Sequence, residues 1–350
     1  MKLKEAVKNE NVLMIIIAVL VVILTVAVFF PSVNTKSGKI SAKIILLGGC
    51  DDCFDTGQFV EILRQQDVEI REIKNIDYKS KEGANLVGDF GLTKIPAFIV
   101  KSSDIDRIDF GALDNSYSGK NYFVFNNIAP YIDLPSGQKK GMVSFIEIQD
   151  GCVECGSVSS LAENMKSAGL KEKNYEVVNS NSERGKELIA EHNLTFIPSL
   201  LIDSEFSEYW WIIDGLQGRI EKSGDYFVVK SPSYPYKDLR TGIIKGKVKA
   251  TYLINKSCEE CFDPSSLGGS FRNMGVYFSS EKEVDVSSSE GKKIIYNYNI
   301  TLIPTIIFSK EILDYKEMEM IFEQIGTIEK DSSFVFRKIK ELNVNYQEVK

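Results

Sequence analysis

A Cys-x-x-Cys pair occurs three times in this chain, at Cys50/Cys53, Cys152/Cys155 and Cys258/Cys261, and the same landmarks follow each copy at the same distance. A glycine comes 33 residues after each first cysteine (Gly83, Gly185, Gly291), and a threonine comes 43 after it (Thr93, Thr195, Thr301). An Ile-Pro dipeptide completes the register at 45 and 46 (Ile95-Pro96, Ile197-Pro198, Ile303-Pro304). The first cysteines lie 102 and 106 residues apart (152 − 50, 258 − 152). Shared offsets in three copies are the signature of a tandem array, and a repeat of roughly a hundred residues is long enough to bury its own core. Whatever this chain folds into, it folds into it three times.

The text around the landmarks reads the same way in each copy. Short apolar runs precede the cysteines (Ile44 to Leu47, Val143 to Ile148, Thr251 to Ile254), as expected of buried strands. Apolar residues at helical spacing follow them: Phe59, Ile62 and Leu63; Val158, Leu161 and Met165; Leu267, Phe271 and Met274. Pro264 and Gly268-Gly269 weaken the third of these helices. A second short helix surrounds the shared glycine, and another apolar run follows each Ile-Pro. The order is strand, Cys-x-x-Cys, helix, strand, helix, Ile-Pro, strand, strand. Copies one and two end in related text, Ala129-Pro-Tyr-Ile-Asp-Leu-Pro and Tyr234-Pro-Tyr-Lys-Asp-Leu-Arg, which with Gly141 and Gly246 reads as linkers.

A Cys-x-x-Cys at a strand-to-helix junction, with Ile-Pro about 45 residues later, resembles the thioredoxin superfamily. The resemblance covers residues 42 to 350 in three copies. It implies an α/β fold of three tandem thioredoxin-like domains (42–140, 141–245, 246–350). It implies cis Pro96, Pro198 and Pro304 beside the cysteines. Cys50, Cys152 and Cys258 are then nucleophiles, Cys53, Cys155 and Cys261 resolve, and the backbone of Ile95, Ile197 and Ile303 pairs with an extended substrate. A first cysteine at a helix N-terminus is helped towards the thiolate by unpaired N–H groups and the helix dipole.

This sequence departs from the family at the residues that tune the chemistry. The pairs enclose Asp51-Asp52, Val153-Glu154 and Glu259-Glu260, so acidic neighbours disfavour a thiolate. The family's buried acid, six residues before the first cysteine, is replaced by Ile44, Ile146 and Tyr252. The acidic neighbours make the disulfide relatively more stable, so low reduction potentials are expected; the resemblance implies that the missing acid would have assisted proton transfer to the second cysteine.

The N-terminus is of another kind. The 19 residues from Val12 to Phe30 carry no charge, and only Thr25 is polar. At about 1.5 Å per residue such a helix spans a bilayer of about 30 Å. Residues 12–31 are therefore expected to be a single transmembrane helix, with 1–11 as a tail and 32–41 as a spacer. Lysines balance across it, and orientation rests on the cysteines. All six stand in pairs, which suits an oxidising, extracytoplasmic compartment.

Other chemistries find little support. A net charge of −7 without a long basic run argues against nucleic acid. His192 is the only histidine, so a Cys/His or Ser/His/Asp set cannot recur, and its place late in a helix suggests the surface. Zinc or iron–sulfur binding is a weaker rival for the cysteines, since three pairs leave one over. No cofactor or resident metal is expected. Asn193, Asn255 and Asn299 head glycosylation sequons. Trp210-Trp211 reads as core packing or a strand pair.

The leading expectation is a membrane-anchored, extracytoplasmic thiol–disulfide oxidoreductase. Its partners would be exported cysteine-containing proteins or a membrane thiol electron carrier. The rival is a non-enzymatic array of three thioredoxin-like folds with structural disulfides.

Overall fold

The computed structural model describes residues 40–349, apart from Ala112 and Ser118. The expected anchor, its N-terminal tail and nearly all of the spacer lie outside the described residues. Among the described residues no helix is long and apolar enough to cross a membrane.

The first repeat opens with β1 (Ile40–Gly48), and α1 (Val60–Arg64) carries the chain over to β2 (Val68–Asp77). Helix α2 (Lys81–Phe90), β3 (Lys94–Ile95), β4 (Ala97–Lys101) and β5 (Tyr122–Phe125) follow. The sheet order is β2-β1-β4-β5, with β1 parallel to β2 and antiparallel to β4. Side chains alternate across a strand, so a sheet covered on both sides needs apolar residues at successive positions. That is what Ala97-Phe98-Ile99-Val100 supplies. Phe98 and Val100 join Ile44, Leu63, Phe123 and Phe125 in one core, while Ala97 and Ile99 join Leu47, Ile95 and Val124 in another.

The second repeat runs β8 (Met142–Gln149), α3 (Ser159–Ser167), β9 (Lys171–Asn179), α4 (Glu183–Glu191), β10 (Phe196–Ile197) and β11 (Ser199–Asp203). It continues with α5 (Trp210–Gly215), β12 (Ile220–Ser223) and β13 (Tyr226–Val229). Its sheet order is β12-β13-β11-β8-β9. The tryptophans stand on α5 rather than in a strand; Trp211 donates its indole N–H to the carbonyl of Ala168 at 3.3 Å, and Trp210 is exposed. His192 is 3% exposed and not on the surface. It caps α4, and the left-handed Asn193 (φ 51°) that follows turns the chain back inward.

The third repeat runs β16 (Val248–Ile254), α6 (Ser265–Asn273), β17 (Phe278–Asp285), α7 (Ser289–Tyr298), β18 (Leu302–Ile303) and β19 (Thr305–Phe308). It ends with α8 (Glu319–Ile325), β20 (Gly326–Ile328) and β21 (Phe334–Phe336), in the order β17-β16-β19-β21-β20. Helix α6 forms despite its glycines. Pro264 sits at its cap, where no N–H is needed, and a Cβ on Gly268 would lie 2.0 Å from the Tyr252 hydroxyl, so the helix needs a glycine there to pack.

Each repeat is completed by a tail. In the first, β6 (Tyr131–Asp133) and β7 (Gln138–Lys140) form a hairpin that extends β3; in the second, β14 (Tyr236–Asp238) and β15 (Ile244–Lys245) extend β10; in the third, β22 (Gln347–Glu348) extends β18. The segments that read as linkers are thus paired strands. By internal contacts the chain forms two compact units. Of the described residues, one unit holds 40–146 with Ser159–Glu176 and Leu200–Lys230; the other holds Glu147–Val158, Val177–Ser199 and 231–349.

The shared glycine has a packing reason. Gly83, Gly185 and Gly291 each stand in the first turn of the second helix, where the N–H donates to a capping serine (Ser80, Ser182, Ser288) at 3.0, 3.0 and 2.9 Å. A Cβ on any of them would lie 2.1 Å from the backbone carbonyl of Asp77, Asn179 or Asp285, at the end of the preceding strand. The glycine lets the helix start hard against the strand end.

Candidate active site

All three cysteine pairs are disulfides, and their Cα atoms are 5.4 Å apart in each repeat. Each pair sits in a tight turn just past the end of the first strand. The second cysteine donates its N–H to the carbonyl of the first at 3.3–3.4 Å. All six cysteines are half-buried, while the residues between them are exposed, Val153 at 98%.

The sequence places a helix N-terminus at the first cysteine; the structure does not. Helices α3 and α6 begin at Ser159 and Ser265, and in the first repeat a 3-10 turn starts at Thr56. The reason lies in one N–H group per repeat. A helix starting at the first cysteine would need the residue after the second cysteine to donate back to it. Instead Phe54 donates to the carbonyl of Pro130 at 2.9 Å, Gly156 to Pro235 at 2.6 Å and Phe262 to Asn345 at 2.9 Å. The tails take the hydrogen bond that would have built the first turn, so the dipole stabilisation of a thiolate at Cys50, Cys152 and Cys258 is not supplied by a helix start there.

The Ile-Pro loops lie where the register requires. Ile95-Pro96, Ile197-Pro198 and Ile303-Pro304 are cis and buried. In the first repeat Pro96 lines the same cavity, about 390 Å³, as Cys50 and Cys53. The backbone before each proline is already paired: Ile95 opposite Ile132, Ile197 opposite Lys237, Ile303 opposite Gln347. The repeat threonine closes each ladder, its carbonyl accepting from Leu134, Leu239 or Val349 at 2.8–2.9 Å.

The residues between the cysteines also have partners from far along the chain. Lys139 binds Asp52 at 2.7 Å and Lys247 binds Glu154 at 2.7 Å; in the third repeat the Asn345 amide donates to the Glu260 carbonyl at 3.0 Å. The hydrogen bond from Lys139 holds the Asp52 carboxyl below its usual range. These lysines offset charge that would otherwise oppose a thiolate in the first two repeats. Ahead of the second pair, Asp150 accepts the Cys152 N–H at 3.1 Å and the Lys237 ammonium at 2.6 Å. Nothing in the spacing of the sequence pointed to Lys139, Lys237 or Lys247, because each is distant in the chain, the first two on tail strands and Lys247 in the loop between β15 and β16. Ile44, Ile146 and Tyr252, where an acid was expected, are buried; Tyr252 donates to Glu281, and burial pushes its hydroxyl pKa up.

Sequence reading also missed a buried tyrosine 57 residues after the first cysteine in repeats two and three (209 − 152, 315 − 258). Tyr209 donates to the carbonyl of Gly141 at 2.6 Å and accepts from the Lys171 N–H at 3.0 Å. Tyr315 does the same with Gly246 and Tyr277 at 2.7 and 2.8 Å. The shared offset was a usable signal. Among the described residues no three His, Cys, Asp or Glu are grouped to hold a metal ion.

Parallel β1 and β2 around a crossover helix, an antiparallel strand entered through a cis proline, and a Cys-x-x-Cys turn beside that proline give the first repeat a thioredoxin-like α/β arrangement, and the other two repeats share its strand order and its cis Ile-Pro bond. No family model matches the sequence, and no curated protein matches it. Solved structures with similarity include the alkylhydroperoxide reductase AhpF from Enterococcus faecalis, at 15% identity over 48% of this chain and 81% of that one, TM-score 0.16. A protein disulfide oxidoreductase from Aeropyrum pernix matches at 14% identity over 48% and 77%, TM-score 0.15. Full-length ERdj5 matches at 8% identity over 91% of this chain and 44% of that one, TM-score 0.17.

Proposed function

We propose that this chain is a thiol–disulfide oxidoreductase, held to a membrane by residues 12–31 and acting on the extracytoplasmic side. The observation that carries the redox reading is the recurrence of one arrangement: a half-buried Cys-x-x-Cys disulfide in an exposed turn and a buried cis Ile-Pro bond in each of three repeats, with the proline and the disulfide lining one cavity in the first. A sulfur that an incoming thiolate can reach, joined to a second sulfur that can leave and return, is what exchange requires. Cys50, Cys152 and Cys258 act as nucleophiles and Cys53, Cys155 and Cys261 resolve the mixed disulfide. The membrane segment keeps the domains close to exported cysteine-containing proteins or a membrane thiol carrier, raising their effective concentration.

The test pairs insulin reduction with trapping of mixed disulfides by the Cys53→Ser, Cys155→Ser and Cys261→Ser variants. Captured partners or reductase activity support the proposal; their absence from every repeat, together with pairs that no small thiol reduces, sinks it. The array reading draws on the tails, which fasten each Cys-x-x-Cys turn as a structural staple would be fastened. Thiol labelling on intact cells separates the two readings: permanently oxidised pairs that ignore the cell's thiol status favour the array.

A further inference from the structure

In all three domains the polar backbone groups flanking the disulfide are already bonded to the domain's own tail. In the first, the Phe54 N–H is taken by Pro130, the Thr93 carbonyl by Leu134, and β3 by β6, with Ile95 opposite Ile132. Domains two and three repeat this, through Gly156, Thr195 and β10 with β14, and through Phe262, Thr301 and β18 with β22. On the redox function proposed above, a polypeptide bringing a cysteine to these sulfurs by strand addition needs free N–H and C=O groups on this edge. Here those groups are spent within the chain. The open approach to the first disulfide is the cavity of about 390 Å³ lined by Gly49, Cys50, Cys53, Phe54, Asn75 and Pro96. That is room for a small molecule. Asp51, Asp55 and Asp77 add carboxylates to its wall, which disfavour an anionic ligand.

We infer that the tail strands are intramolecular occupants of the peptide edge, so that the cysteine pairs exchange with small neutral or cationic thiols in the latched form and with polypeptides only when a tail is displaced. This rests on the redox function proposed above and names its substrate class. In the balanced step a small thiolate attacks one sulfur of Cys50–Cys53, forming a mixed disulfide and releasing the other cysteine as thiolate, which takes up the proton. A second small thiol attacks the mixed disulfide. The protein pair gains two electrons and two protons, and two thiols leave as one small disulfide.

The experiment uses the oxidised full chain and follows each cysteine pair by alkylation and mass spectrometry. Two reductants are compared, cysteamine and a ten-residue extended peptide with one central cysteine, each normalised to its rate with a small model disulfide. Cysteamine is expected to reduce Cys50–Cys53 at least tenfold faster than the peptide. Ile132→Pro, which removes a ladder N–H from the tail, is expected to raise the peptide rate about tenfold while the cysteamine rate stays within twofold. Ser136→Ala, an exposed change that removes the hydroxyl bond to Asp133 in the turn between β6 and β7, loosens the tail less and is expected to raise the peptide-to-cysteamine ratio about 2–5-fold. A peptide as fast as cysteamine in the wild type, or a ratio unmoved in both variants, overturns the latch and leaves the redox function standing. If neither thiol reduces any pair without denaturant, the redox function itself falls.

Discussion

Helix α2 contains two glycines with opposite demands, and replacing each by alanine tests whether packing or propensity governs the shared glycine position. Alanine is favoured over glycine inside a helix by about 0.8–1 kcal/mol. At Gly88 a Cβ meets nothing within 4 Å, so Gly88→Ala should gain that amount. At Gly83 the Cβ would lie 2.1 Å from the Asp77 carbonyl oxygen and 2.6 Å from the Tyr78 Cα, both backbone atoms that no rotamer change can move. Relief requires the helix start to back away from the strand end, and that lengthens the 3.0 Å bond from the Gly83 N–H to the Ser80 hydroxyl. Overpacking costs about 1–3 kcal/mol and a weakened N-cap up to about 1 kcal/mol more. Set against the propensity gain, Gly83→Ala should destabilise by up to about 3 kcal/mol. Because the chain has several domains, the readout should be local: native-state hydrogen exchange of the α2 amides. Protection should fall by up to roughly 100-fold in Gly83→Ala and rise about 3- to 5-fold in Gly88→Ala, at about 1.4 kcal/mol per tenfold. Equal and positive effects at the two sites would refute the reasoning, because propensity alone would then account for both.

Other expectations follow from single contacts. Ser182→Ala should weaken α4 by about 1 kcal/mol, since it leaves the Gly185 N–H without its cap, and the same hydrogen-exchange measurement on α4 checks it. Tyr209→Phe should cost about 1–3 kcal/mol in urea unfolding, because the buried Gly141 carbonyl and Lys171 N–H lose a shared partner. Burial pushes the Tyr209 and Tyr315 hydroxyls up to about 12, above the unfolded value of about 10. The folded form therefore holds these protons more tightly: the stability is fully present below pH about 10 and is lost as pH rises towards 12. An alkaline urea series should show that loss, and Tyr209→Phe should make it shallower. Asp238 is 1% exposed; its bonds to Arg240 hold the carboxyl well below its usual range, with Lys245 adding a second cation. Asp238→Ala should cost about 2–3 kcal/mol in urea, since it strips partners from the Arg240 and Thr241 N–H groups as well as the two cations.

The threefold architecture is legible in the sequence alone. Its landmarks are residues whose role is local: a glycine that fits only against a carbonyl, a proline that shapes a loop, two cysteines one turn apart. Such roles recur at fixed offsets, so Gly83, Pro96 and Cys50 announce one another and their counterparts. The apolar run from Ala97 to Val100 likewise foretold a strand covered on both faces. How the cysteine pairs are surrounded was settled by tertiary packing. Lys139 and Asp52 are 87 residues apart, and Phe54 and Pro130 are 76 apart (130 − 54), so no local pattern connects them. The same distance explains why two expectations failed. Text rich in proline and tyrosine has a linker's composition, yet Tyr131-Ile132-Asp133 becomes a strand because β3 offers it an unpaired edge. A Cys-x-x-Cys turn followed by helical spacing looks like a helix start, yet the Phe54 N–H goes to a strand that returns from the far end of the domain. Hydrogen-bond competition across that distance is settled by geometry that a linear sequence does not display. The three Cys-x-x-Cys pairs were legible from the first line; that each is held by its own tail was not.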